Sequence, residues 1–541
     1  MFWGGVFAFV LGGLQYLYCD LSRAWVPYGG TSVQLLRLEF PLFLVLAWLS
    51  YLPMRKRGWR WLSWPLAALP VLVLYILLDG FYLGLHRGAR FSDWKNLGAL
   101  LGMSPRLGYA ALGLLALALL VPALRWGWGW KAMEAGRRRR SLLLRGLVLL
   151  GLGGFFASGL LRVYMEETMP FVSWSETRNL QLNGRLSSVF HDSFRRAATL
   201  EKLQKLKVMA RATPRFQGSI PHKRNLHILV LESFLDPRLV EGIRIRGEAL
   251  APALASILSE GGTEEFDRVE TPIYGGSTPQ TEFEVLTGLP ALALAESVEF
   301  NLMEGGAISS LCAALKRQGY HCVATIATPP QFFNSVLAYK SLGFDEVHFL
   351  GGPGYLEEVP GDPWIFDGDL LSQNLAFLEA RFLSKKKPIL NYILGSYGHL
   401  PFERNLKKRP DLCSLEDGSA KSPELHRILN QFRYRTHALA RFIQAIRDQD
   451  PNSLLYLTSD HLPAIFGRDL RYSLDDKVNV SLLLDRGKRI PLPKLPSYAL
   501  PYHLWSRLSG RLPRIPPREA LKRGYLQALS ESLDMGGSLG K

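Results

Sequence analysis

Five apolar runs, at about 2–18, 35–53, 62–84, 108–125 and 142–162, crowd the first third of this 541-residue chain. Each approaches the ~20 residues that a helix needs to cross a bilayer. Lipid offers no partner to backbone N–H and C=O groups, so such runs must close their hydrogen bonds internally, as helices. The sequence therefore predicts a five-helix transmembrane domain over 1–163. The first run starts at Met1 without a charged leader, and further runs follow, so it reads as an anchor and not as a cleaved signal.

Loop charges set the orientation. Arg55, Lys56, Arg57 and Arg60 follow the second run; Lys131 and Arg137, Arg138, Arg139 and Arg140 follow the fourth. Both loops are expected in the cytoplasm by the positive-inside rule. Arg87, Arg90, Lys95 and Arg106 follow the third run but are spread out and include Asp93. Five spans with an inside N-terminus place everything after about residue 163 outside the cytoplasm. The net charge of +17 is then read as loop topology and attraction to anionic head groups, with no nucleic acid as partner.

Residues 164–220 form a polar connector with aromatic anchors such as Trp174. Its segment Leu186 to Leu206 is helical and amphipathic in pattern, suited to lying along the membrane or packing on the following domain. From 221 to 510 short apolar runs alternate with amphipathic helices. Strands are expected at 226–231, 321–327, 388–394, 453–458 and 478–484. Helices are expected near 248–259, 307–318, 332–342, 368–384 and 424–449. This alternation predicts an α/β domain with a mostly parallel sheet covered by helices on both faces. Residues 511–541 show no strong pattern and read as a peripheral tail. Cys19, Cys312, Cys322 and Cys413 have no zinc-type spacing and are expected as buried thiols.

Within the α/β region the stretch Tyr274-Gly275-Gly276-Ser277-Thr278-Pro279-Gln280-Thr281-Glu282-Phe283 puts two hydroxyls after a glycine pair and just ahead of a helix. A helix N-terminus favours an anion such as phosphate. A hydroxyl there is a candidate nucleophile, and simple N-capping by Ser277 or Thr278 is the plainer alternative. Three strand ends carry further groups: Glu232-Ser233 after the first strand, Ser459-Asp460-His461 after the fourth, and His399 in Gly395-Ser396-Tyr397-Gly398-His399-Leu400-Pro401-Phe402 after the third. Active sites of open α/β sheets gather at such ends. Glu232, Asp460, His461 and Thr278 together offer four oxygen and nitrogen ligands to Mn²⁺, Mg²⁺ or Zn²⁺. Coordination is one way to activate a threonine hydroxyl.

The order Leu-Glu-Ser, Gly-Gly-Ser-Thr-x-x-Thr-Glu-Phe, His-x-Pro-Phe and Ser-Asp-His resembles the lipoteichoic acid synthase family, phosphoglycerol transferases of the alkaline phosphatase/sulfatase superfamily. Asn183-Gly184 and Ala338-Tyr339-Lys340-Ser341-Leu342-Gly343-Phe344 resemble further family stretches. The resemblance implies a bacterial plasma-membrane enzyme with an extracytoplasmic, sulfatase-like catalytic domain over 221–510. It assigns Thr278 as nucleophile, Glu232, Thr278, Asp460 and His461 as Mn²⁺ ligands, and His399 as a substrate-contacting histidine. It implies phosphatidylglycerol as donor and a glycan or glycolipid as acceptor.

Two departures bear on the substrate. Where the family carries Trp-Asn-Arg for glycerophosphate binding, this chain has Phe333-Asn334-Ser335, so Phe333 and Asn334 are the candidate contacts and a bidentate arginine is missing there. The histidine that precedes that segment has no counterpart in Thr325-Ile326-Ala327-Thr328. Ser277 stays open as a substrate contact or as a sulfatase-like nucleophile, although Thr281 stands where sulfatases carry arginine. The rival functions are a phosphoethanolamine transferase, a hydrolase of sulfate or phosphate esters, and a non-catalytic receptor that keeps the fold.

Overall fold

A computed structural model resolves the chain into two compact units, Met1–Leu206 with Gly536–Lys541, and Lys207–Met535. It describes residues 2–29, 38–51, 63–85, 88–89, 135–157, 159–172, 175–205 and 216–534, apart from 294–297, 331, 353, 384–386, 417–421 and 467–469.

In the first unit the apolar runs are helices: α1 (Phe2–Leu21), α2 (Glu39–Ser50), α3 (Ser63–Leu85) and α4 (Ala135–Ala157). Among the described residues, Trp64–Leu83 is long and apolar enough to cross a bilayer, and Glu39–Leu49 is apolar but shorter. Leu143–Phe155 and Leu160–Thr168 meet at a 67° bend, where Gly159 takes a φ of 73° ahead of α5 (Leu160–Thr168). The expected run at 108–125, the loop cations Arg55, Lys56, Arg57, Arg60, Arg87, Arg90, Lys95, Arg106 and Lys131, and Trp174 lie outside the described residues. Leu11, Phe43, Ala47 and Tyr75 form the shared core of α1 to α3.

The described part of the connector packs on the N-terminal helices. It folds as α6 (Glu176–Asn183) and α7 (Arg185–Lys205), and the start of α7 is buried among the N-terminal helices. The Arg185 guanidinium meets Asp79 twice, Nε to Oδ1 at 2.7 Å and Nη2 to Oδ2 at 3.0 Å. The Glu39 carboxylate accepts from the backbone N–H groups of Arg185 (3.1 Å) and Ser187 (2.8 Å). A carboxylate on the free N–H groups of a first helical turn is the arrangement the helix dipole favours. A Cβ on Gly184 would lie 2.4 Å from Glu39 Cγ, so Asn183-Gly184 is where backbone and carboxylate pass. The connector up to residue 206 thus belongs to the N-terminal unit.

The second unit is built on β1 (Leu226–Leu231), β2 (Asp267–Glu270), β3 (His321–Ile326), β4 (Glu346–Phe349), β5 (Ile389–Leu394), β6 (Leu454–Ser459) and β7 (Val478–Asp485). The sheet order is β2-β7-β6-β1-β5-β3-β4, with the short Leu495–Pro496 strand beyond β2. β6, β1, β5, β3 and β4 are parallel, while β7 runs antiparallel to both β6 and β2. β1 and β5 are buried along their whole length, as strands covered on both faces must be. One face buries Leu229, Leu231 and Ile393 against Leu254 of α8 (Pro252–Ser259) and Leu439 and Ile443 of a long helix, 423–449. The other is covered by α9 (Pro279–Thr287), α10 (Leu311–Arg317) and α11 (Ser335–Leu342), with Tyr392 of β5 against Tyr339 of α11. α12 (Asp367–Leu378) and α13 (Pro423–Gln449) complete the first layer; α14 (Leu500–Ser509) follows the sheet.

The stretch expected as a peripheral tail is largely folded into the second unit. Residues 518–534 form α15 (Arg518–Asp534), whose Leu521, Tyr525, Leu526 and Leu529 are buried. Tyr525 packs edge-on against Phe283 of α9 at 5.8 Å and donates to Glu299 Oε1 at 3.0 Å. All four cysteines are free and buried.

Candidate active site

Strand register brings the acids together. Leu231 of β1 pairs with Ser459 of β6, so the next residues, Glu232 and Asp460, leave the sheet side by side at the carboxyl ends of adjacent parallel strands. Ser233 takes a φ of 45°, turning the chain so that its N–H reaches Asp460 Oδ1 at 2.8 Å. The His461 N–H donates to the same oxygen at 2.7 Å.

The glycine pair delivers the hydroxyl. Gly275 and Gly276 have φ of 72° and 147°, which side chains other than glycine rarely tolerate. A Cβ on Gly275 would also lie 2.8 Å from Ala464 Cβ. Ser277, at φ 64°, still belongs to this turn, and Thr278 enters the helical region ahead of Pro279. Thr278 makes no side-chain capping bond, which removes the plain N-cap reading for that residue. Its Oγ1 lies 2.7 Å from Asp460 Oδ2 and 3.1 Å from Glu232 Oε2. A hydroxyl has one proton, so it serves one carboxylate at a time. Three residues on, Thr281 Oγ1 donates to Asp460 O at 2.7 Å and ties α9 to the end of β6.

His461 completes the cluster. Its Nδ1 faces Leu462 O at 2.9 Å, the backbone partner that fixes an Nδ1–H tautomer and leaves Nε2 as a lone-pair donor. Nε2 stands 3.3 Å from Asp460 Oδ2 and 3.4 Å from Glu232 Oε1. One ligand atom each from Glu232, Asp460 and His461 lie within 4.8 Å of one another, and all three residues are buried. Burial and the neighbouring Glu232 raise the Asp460 carboxyl above its ordinary value. Burial opposes charging of His461, but Asp460 and Glu232 outweigh it and raise the imidazole. Two carboxylates, an imidazole Nε2 and a hydroxyl around one point are a donor set that fits a divalent cation.

The supporting residues were not read from the sequence. Arg435 of α13 donates from Nη2 to Glu232 O at 2.9 Å and from Nε to Asp367 Oδ2 at 2.6 Å; both side chains are almost fully buried. Glu282 accepts from Tyr339 and from Tyr392 Oη (2.7 Å), and burial raises its carboxyl to about 7. Tyr339 lay in plain view within the Ala-Tyr-Lys-Ser-Leu-Gly-Phe stretch, and Glu282 four residues past Thr278. Arg435 stands in an ordinary amphipathic pattern that carries no such signal.

The remaining candidates lie around this core. His399 is half-buried, with its ring 4.5 Å from Trp364 and Nδ1 3.0 Å from Leu400 O. The preceding Gly398 packs so closely that a Cβ would lie 2.0 Å from Glu232 O, which places the His399 loop directly against the Glu232 backbone. Phe333 and Asn334 have φ of 48° and 58°. Phe333 is buried, and Asn334 Nδ2 donates to Phe300 O and Met303 O at 2.8 and 2.7 Å. Both amide protons of Asn334 are thus spent on backbone.

Residues 252–499 match the sulfatase family. The second unit is accordingly a domain of the sulfatase/alkaline phosphatase superfamily. A curated relative, the lipoteichoic acid synthase-like protein YvgJ of Bacillus subtilis, is 24% identical over 244 residues, 44% of this chain and 37% of its own length. The chain thus spans well under half of that relative. Two solved structures are similar: lipoteichoic acid synthase LtaP of Listeria monocytogenes at 17% identity and TM-score 0.45, covering 58% of this chain and 78% of that one, and the Streptococcus pyogenes phosphoglycerol transferase GacH with sn-glycerol-1-phosphate at 16% and 0.44, covering 62% and 92%.

Proposed function

We propose that this chain is a membrane-anchored, metal-dependent phosphotransferase of the lipoteichoic acid synthase-like group, with its second unit on the extracytoplasmic face of a bacterial plasma membrane. It moves phosphoglycerol from phosphatidylglycerol to a cell-envelope glycan or glycolipid. The observation that carries the reading is Thr278 Oγ1 held between Asp460 and Glu232, with His461 Nε2 beside them. Glu232, Thr278, Asp460 and His461 would hold a divalent cation, Mn²⁺ before Mg²⁺ or Zn²⁺, which when bound lowers the cost of a threonine alkoxide and offsets phosphate charge.

The residues then have distinct tasks. Thr278 Oγ1 releases its proton toward Asp460 and attacks phosphorus; an O–P bond forms and the bond to the diacylglycerol oxygen breaks. His399 protonates that leaving oxygen, and in the second half deprotonates the acceptor hydroxyl that displaces Thr278 from the glycerophosphate, while Thr278 recovers its proton from Asp460. Arg435 and Asp367 hold the Glu232 backbone in place. Thr278→Ala is expected to leave a folded protein whose diacylglycerol release from phosphatidylglycerol falls by roughly 10⁴-fold. Turnover near the parent level would remove the mechanism.

One observation favours a second reading. With Ser335 in place of arginine and the Asn334 amide spent on Phe300 and Met303, the stretch offers no guanidinium to a glycerophosphate. A phosphatidylethanolamine donor would use the same nucleophile without that clamp.

A further inference from the structure

The catalytic reading leaves unused the most basic stretch of the second unit. Arg507, Arg511, Arg514, Arg518, Lys522 and Arg523 stand within seventeen residues against a single acid, Glu519. Arg507 is engaged by Asp485 at 3.7 Å, whereas Arg511 and Arg514 form no ion pair among the described residues. Both line a cavity of about 550 Å³ between α14 and α15, whose apolar wall includes Trp505, Ile515 and Leu521. Ser509 lies in the same wall, 6% exposed, and its Oγ has no hydrogen-bond partner. A buried orphan hydroxyl costs free energy unless something arrives to bond it.

The rim adds a second anomaly. Leu512, between the two unpaired arginines, is 92% exposed, and Ile515 is 39% exposed. The turn that presents them is held in place. Trp505 Nε1 donates to Gln217 O at 2.9 Å. A Cβ on Gly218, at φ 94°, would lie 2.6 Å from Arg511 Nη1, so the guanidinium is seated over the backbone by which the chain enters this unit.

We propose that this cavity is a docking site for an anionic phospholipid. Arg511 and Arg514 take the headgroup phosphate as charge-assisted hydrogen bonds, Ser509 Oγ bonds a headgroup oxygen, an alkyl segment lies along Ile515, and Leu512 enters the bilayer. The volume is that of a small-molecule pocket. A dissolved phosphate ester satisfies the arginines but leaves Ile515 and Leu512 in water; a lipid satisfies both. Basic side chains flanking an exposed apolar residue are what an anionic surface selects. The site is separate from the active site: Tyr502 Oη donates to Gly288 O at the far end of α9 from Thr278, about 15 Å along the helix at 1.5 Å per residue. The proposal stands whichever reaction Thr278 performs.

The test uses the full chain in nanodiscs with Leu512→Cys carrying an environment-sensitive fluorophore, selective because the four natural cysteines are buried. Phosphatidylglycerol discs are expected to shield the label from aqueous iodide, phosphatidylcholine discs not. Arg511→Gln with Arg514→Gln, both at exposed positions, should weaken the preference about thirtyfold with the melting temperature unchanged. Equal shielding in the two discs, or none in either, would overturn the proposal, as would a preference untouched by the double substitution. Shielding by dissolved glycerol phosphate alone would assign the cavity to a free ester and also overturn it.

Discussion

Thr278 illustrates what a single residue's context tells and withholds. Glycine pair, hydroxyls and proline together announce a tight turn into a helix, and that much is legible locally. Whether the hydroxyl caps the helix or faces the acids depends on Glu232 and Asp460, which stand 46 and 182 positions away and meet only through strand register. Glu284 shows the converse: a carboxylate on α9 that local pattern marks as surface is buried, accepting from Ala291 N–H at 2.8 Å and from Ser497. Burial raises its carboxyl from 4.5 to about 8. The folded state therefore keeps a proton that the unfolded chain releases, and this stabilisation, full below about pH 4.5, is lost as pH rises through about 8. Glu284→Gln should flatten the decline in melting temperature between pH 5 and 8, leaving the variant about 3 °C or more ahead of the parent at pH 8 relative to pH 5. Parallel curves would refute this account of Glu284.

At the scale of elements, period was a sound guide where apolar residues repeat cleanly. β1 falls where expected, and 423–449 is one helix. β2 and β4 escaped because each has four residues and carries charge, Asp267 and Glu346 among them. α15 escaped although Leu521, Tyr525, Ala528 and Leu529 keep helical spacing, because arginines and prolines around 511–518 suggested a tail. α13 matters most to the site through Arg435. Arg435→Met strands Asp367 as a buried, unpaired charge, a change worth about 3–5 kcal/mol, and should lower the melting temperature steeply. Arg435→Met with Asp367→Leu should recover most of that loss, since an apolar pair removes both charges. No recovery would mean that the bond to Glu232 O, not the ion pair, holds the region.

For the whole molecule, the division between an apolar first third and an α/β remainder was plain in composition. The boundary was not, because the Arg185–Asp79 and Glu39 contacts that draw the connector into the first unit pair residues more than a hundred positions apart. The five spans expected from the sequence, with an inside N-terminus, predict that a tag after Lys541 is cleaved by protease added to the outside of spheroplasts. Protection until the membrane is opened would reverse the topology. Thr278 is proposed to take a phosphoryl group from a membrane lipid. The most direct test is the intact mass of the full chain with Mn²⁺, offered phosphatidylglycerol and phosphatidylethanolamine separately. The account predicts a glycerophosphoryl adduct mapping to Thr278 with the first lipid. An adduct on Ser277 or elsewhere, or no adduct together with no lipid turnover, would contradict it.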